Sequence, residues 1–358
     1  MNSNPYRHLP ASSFWKAAIA ETPASDVDPV VAVPFTISPE HKIATAGSCF
    51  AQHISQALRE NGFGYLVTEA PHPMLCADDA RMFGYGTFTA RYGNIYTARQ
   101  LRQLLDRAYG RFTPVEDAWE EDGGRWIDPF RPRIQPEGYE SRHEYDADRQ
   151  KHFACVRRAF EELDILVFTF GLTEAWVSRT DGAVFPLCPG VAGGRFDPDL
   201  HAFHNFTVQE IVDDMRSFIG SLREINPKAK LILTVSPVPL VATAGRKHVL
   251  AATVYSKSVL RVACETLSDG LDGVAYFPSY EIITGSFSRG NYFEPDCRTV
   301  SAAGVAHVMR VFMGHFAGRE GARGEQVDTF EVDGHLLEMN RVVSLDCDEQ
   351  AALEKPKT

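Results

Sequence analysis

Gly47, Ser48 and Cys49 follow a short apolar run that ends at Ala46, and an amphipathic segment starts directly after them. A turn from strand to helix brings such side chains to the carboxyl edge of an α/β sheet, where these sheets bind ligands. The helix start offers N–H groups and positive potential to a developing oxyanion. The chemistry that fits is nucleophilic attack on an acyl carbonyl, by Ser48 or by Cys49. The plainer roles are a turn and helix cap for Ser48 and a small buried side chain for Cys49.

The stretch "FTFGLTEAW" repeats this arrangement, with an apolar run ending at Gly171 and polar Thr173 and Glu174 after it. Gly171 admits close backbone approach and Thr173 can donate a hydrogen bond; a strand cap is the alternative. "TVSPVPL" closes a third apolar run, which places Ser236 at the same edge. "NYFEPDCRT" precedes the last core helix, and its Asp296 either orients a histidine or caps that helix.

The elements that must position these residues follow from periodicity. Lys42–Ala46, "DILVFTFG", "KLILTVSP" and "GVAYFP" are continuously apolar and read as buried strands, with "GYLVTEA" as a further candidate. Helices are predicted over Ala51–Asn61, Glu144–Leu163, Val249–Leu267 and Ser301–Phe312. Capping boxes at Thr97/Gln100 and Thr207/Glu210 open two more. "WVSRTDGAVFPL" predicts a hairpin around Asp181-Gly182, and Asp117–Glu140 an insertion loop. Apolar strands alternating with helices predict a three-layer α/β/α sandwich with a mostly parallel sheet. The predicted organisation is an extended arm over 1–41, packing through Phe14 and Trp15. An α/β domain over 42–320 follows, with an insertion near 113–143, then a charged tail over 321–358.

Of 358 residues, 44% are hydrophobic, enough for a large core. The formal charge of −11 with no Lys/Arg block argues against a nucleic-acid groove. Seven cysteines without CxxC pairs indicate neither a disulfide framework nor a zinc site, and no metal or cofactor is expected. No stretch reaches the length of a membrane span, and the expected location is the cytoplasm. The oligomeric state is left open.

"GSCFA", Gly47 to Ala51, resembles the name-giving motif of the GSCFA family, a relative of the SGNH/GDSL hydrolases. "SPVPL", "YSKSVL", "YFPSYEI" and "EPDCRTVS" are similar to its later blocks, in order, and the likeness covers Lys42 to Phe312. It implies the SGNH three-layer α/β/α fold and acyl hydrolysis or transfer, often on carbohydrates, with Ser48 as nucleophile. For the oxyanion donors it implies Gly93 and Asn94 in "RYGNIYT", and Thr173 where an asparagine is usual. The last block, Asp-x-x-His in the superfamily, reads Asp296-Cys297-Arg298-Thr299, so Thr299 stands where the histidine is expected. The base must then come from elsewhere among twelve histidines. His248 follows the third strand edge, in a segment similar to one where relatives carry a histidine; His204 in "AFHNF" comes second. His53, one turn into the first helix, reads as structural.

These residues predict a serine-dependent acyl-ester hydrolase or O-acyltransferase acting on a small-molecule or carbohydrate acyl ester. Ser48, His248 and Asp296 would be catalytic, with Gly93, Asn94 and Thr173 at the oxyanion. Cys49, His204 and Glu174 are further site candidates. The competing expectation is a carbohydrate- or partner-binding protein on the same fold that has lost its histidine.

Overall fold

The computed structural model describes residues 4–318, so the charged tail and Cys347 lie outside the described residues. Four parallel strands form the central sheet: β1 (Ile43–Gly47), β4 (Ile165–Phe170), β8 (Lys230–Val235) and β9 (Val274–Phe277), in the order β1-β4-β8-β9. Their side chains alternate between two apolar layers. Leu166, Phe168 and Phe170 of β4 pack with α3 (Ala98–Ala108), α4 (Arg142–Glu162), α5 (Val208–Ile225) and α6 (Val249–Gly270). Ile165 and Val167 face α1 (Ala51–Glu60), α7 (Ser279–Thr284) and α8 (Ala302–Phe316) on the other side. The result is a three-layer α/β/α sandwich, which explains why these strands are apolar throughout.

The register puts Gly47 opposite Thr169, and Thr169 opposite Thr234. All four strands therefore end at one edge, and the turns after β1, β4 and β8 carry Ser48, Thr173 and Ser236 together there. Beyond that edge lies a separate antiparallel sheet, β6-β5-β7, made of β5 (Glu174–Ser178), β6 (Val184–Phe185) and β7 (His201–Asn205). Its β5–β6 hairpin turns at Asp181-Gly182, where Gly182 has φ +74° and Asp181 accepts the Ala183 amide at 3.0 Å.

Three expectations are corrected. "GYLVTEA" is no strand: Tyr65 makes one isolated parallel bridge to Ile43 before the chain turns away. The arm does not pack through Phe14 and Trp15, which are exposed; it buries Ile37 in the layer containing α8 and is tied to that helix at the Val27 carbonyl. Residues 117–140 are no plain loop. They hold the short hairpin of β2 (Trp119–Glu120) and β3 (Trp126–Ile127), while Trp119 and Phe130 pack on Phe185. The short helix α2 (Ala77–Met82) precedes the segment that reaches the sheet edge.

Candidate functional site at the sheet edge

Gly47 reaches the edge with φ +138°, and a Cβ built there would lie 2.3 Å from the Thr169 carbonyl oxygen. Only glycine fits, and the turn presses against β4: the Ser48 amide donates to that same carbonyl at 3.1 Å. The Ser48 side chain is buried, and its Oγ has no hydrogen-bond partner. It does not cap α1, whose amides receive no side-chain cap. Cys49 is buried beside it and in no disulfide.

Gly171 closes the site from β4. A Cβ there would meet Ser48 Cβ at 3.1 Å and Tyr96 Cδ1 at 2.8 Å, so this glycine leaves room for both neighbours. The segment after Gly93 is stitched across the two turns. The Ile95 amide donates to Gly47 O at 2.8 Å, and Tyr96 O accepts from the Gly171 and Leu172 amides at 3.0 and 3.2 Å. Gly93 and Asn94 therefore enter beside Ser48, and both line an open cleft. Thr173 is fully buried, its amide donates to Ser256 Oγ at 3.0 Å, and its Oγ1 has no partner. Thr169 Oγ1 is likewise unpartnered. Buried polar atoms are nearly always satisfied, and leaving one unsatisfied costs about 1–3 kcal/mol. Three such hydroxyls on two adjacent strand ends leave this edge with hydrogen-bonding capacity that the protein's own groups do not meet.

The predicted acid–base residues are each engaged with partners other than Ser48. His248 is exposed as the N-cap of α6, its Nδ1 accepting the Leu250 amide at 3.2 Å. His204 lies on β7, not in a loop, and bonds Glu210 at 2.8 Å. Asp296 neither holds a histidine nor caps α8, a task done by Ser301. It closes its own turn, accepting the Arg298 and Thr299 amides and, at 2.6 Å, the Thr299 hydroxyl. Its carboxyl is held below the ordinary range despite some burial, chiefly by the Thr299 hydroxyl. Glu174, raised by burial, accepts from Thr243 at 2.6 Å and so anchors the loop that leads to His248.

Lys257 was not anticipated. It is buried on α6 and donates from Nζ to the Gly171 carbonyl at 2.7 Å, fixing the wall against Ser48. A lysine inside a helix reads as surface; the signal was its place on the apolar face that also carries Leu260, Ala263 and Cys264. His53 is also near the turn in sequence. Its ring packs on Phe50, its Nδ1 is unpartnered, and burial pulls its pKa down to about 4. Among the described residues no group of three or more His, Cys, Asp or Glu side chains is placed to hold a metal ion. No described helix is long and apolar enough to cross a membrane.

The sequence profile of the GSCFA family matches residues 42–312. The chain belongs to the GSCFA family. Gly47–Ala51, the segment that spells the family name, is the turn packed against β4. The match ends within α8, so it takes in both faces of the sandwich and every residue of the site just described. The chain finds no match among curated proteins or among solved structures.

Proposed function

We propose that this GSCFA-family chain is a serine-dependent acyl-ester hydrolase or O-acyltransferase, related to the SGNH/GDSL hydrolases, with an O-acylated carbohydrate as substrate. One observation carries the reading: Ser48 stands in the turn between β1 and α1, and its buried hydroxyl has no hydrogen-bond partner. In this reading Ser48 Oγ attacks the acyl carbonyl and passes its proton to an imidazole. The acyl group moves to Oγ, the departing alkoxide takes the proton back, and water or an acceptor hydroxyl then releases the acyl group. Asn94 and the Thr173 hydroxyl are the proposed oxyanion donors, because the Ser48, Gly171 and Leu172 amides are already committed to carbonyls. His248 is the proposed base and Asp296 its orienting partner. Both must leave the turns they now close, which makes base recruitment part of substrate binding.

Turnover of an activated acetyl ester tests the reading. Ser48→Ala should lower kcat by about four to six orders of magnitude while thermal unfolding stays within a few degrees. His248→Ala should lower kcat toward the level of Ser48→Ala without changing thermal unfolding. Loss in Cys49→Ala with full activity in Ser48→Ala would transfer the role to the thiol.

A second reading, a binding protein that has lost its chemistry, is favoured by the same closed geometry. Ser48 Oγ is shielded from solvent, and Asp296 is engaged with Thr299. It predicts no Ser48-dependent turnover of any ester.

A further inference from the structure

The cleft beside Asn94 has no carboxylate in its lining, although the whole chain carries a net charge of −11. Arg81, Arg131 and Arg133 line it instead. A smaller pocket of about 310 Å³ continues from it, sharing Asn94, Phe130 and Pro186, and adds Arg107.

These guanidinium groups are not equivalent. Arg131 is neutralised by Asp128 at 2.7 Å and by Asp148 at 2.9 Å. Arg107 has no such partner. Its guanidinium carbon lies 3.7 Å from the centre of the Phe130 ring, and its Nε is buried without a hydrogen bond. Among the described residues it forms no ion pair, for Asp128, the carboxylate that most favours its charge, is spent on Arg131 and on the Phe130 amide at 2.9 Å. Burial pulls Arg107 down to about 10, which still leaves it charged at neutral pH. Holding a partly desolvated cation unpaired is costly, and proteins normally pair such groups. A guanidinium packed over a ring has N–H groups that the ring does not satisfy, and such donors can take an oxyanion through paired hydrogen bonds.

We propose that this cleft binds the oxyanion substituent, a carboxylate, sulfate or phosphate, of an acidic sugar, with Arg107 as its principal partner. The proposal rests on the acyl-ester reading for the placement of the ester toward Ser48, but anion binding itself does not require turnover. Arg81 at the exposed rim adds attraction during approach.

Isothermal titration of the full chain tests it, with glucuronate, glucose 6-sulfate and glucose 6-phosphate as probes and glucose as the neutral control. Wild type and Ser48→Ala should bind at least one charged probe at least about tenfold more tightly than glucose. Arg107→Met should remove that preference, a loss of about tenfold or more, with Arg107→Lys recovering part of it. The preferred probe separates carboxylate from sulfate and phosphate. Should Arg107→Met fail to fold by circular dichroism, two further readouts decide. Affinity must fall as KCl is raised, and Arg81→Gln must weaken binding by a few fold. Equal affinity for glucose and all three anions, no binding of any, salt-insensitive binding, or undiminished binding in folded Arg107→Met would overturn the proposal. Binding retained alongside Ser48-independent turnover would instead defeat the acyl-ester reading and leave the anion cleft standing. Ser48-dependent turnover without anion binding would do the reverse.

Discussion

His53 loses its charge on folding for a single reason, desolvation, and that gives the stability of the fold a defined pH window. Its imidazole lies near 4 when folded and near about 6.5 when unfolded. Between these values the unfolded chain holds a proton that the folded chain does not. Stability is therefore complete above about pH 6.5, falls as pH drops, and stops falling from this source below 4. The size is about 3 kcal/mol for a shift of this extent. Burial lowers His152 and His307 too, so they push in the same direction. Urea unfolding midpoints for wild type should decline from pH 6.5 to 4.5, and His53→Gln should flatten that decline. Parallel pH curves for the two proteins would show that His53 does not titrate as its burial requires.

The β1 to α1 turn sets the geometry of the sheet edge, and its tolerance for change follows from what surrounds it. A Cβ on Gly47 meets the backbone of β4, which is itself held on both sides by β1 and β8, so nothing can give. Gly47→Ala should cost more than about 2 kcal/mol and disturb Ser48 with it. Gly62 is the control: its φ is +74° but no atom lies within 4 Å, so Gly62→Ala should cost only about 1 kcal/mol of backbone strain. Equal losses in chemical denaturation would show that the contact with Thr169 does not matter.

The same elements show what a sequence reveals. β4 and β8 were legible because strands covered on both faces must be apolar at every position. The second sheet was legible only in part: the Asp181-Gly182 turn announced β5 and β6, but "HAFHN" of β7 has neither β-branched residues nor a clean alternation. The placement of Ser48 and Thr173 at one edge followed from topology, whereas Gly93 and Asn94 were named only through the family likeness. Lys257 and Arg107 followed from neither, because a cation's burial depends on which distant segment covers it, and local pattern carries no record of that.

At the scale of the whole molecule, the two ends of the described chain meet. The Ile37 amide donates to Phe316 O at 2.7 Å, and His307 Nε2 donates to Val27 O at 2.8 Å. His315 pairs with Asp28 at 2.6 Å, and Arg310 reaches the Ser25 carbonyl. The arm and α8 together complete one of the two covering layers, so that layer joins segments far apart in the sequence, and α8 follows every strand of the central sheet. On the ribosome, the sheet face carrying Ile165, Val167 and Ile232 must wait, uncovered, until α8 has emerged. Nascent chains stalled before Ala302 should be cut readily by protease and retained by chaperones, while chains stalled well after Phe316 should be protected. Protection of the shorter chains would mean the remaining layers fold without their last helix. The same late closure makes shortening the chain into α8 far more damaging than its distance from Ser48 suggests, since it would strand a finished sheet edge on a molecule that cannot leave its chaperones.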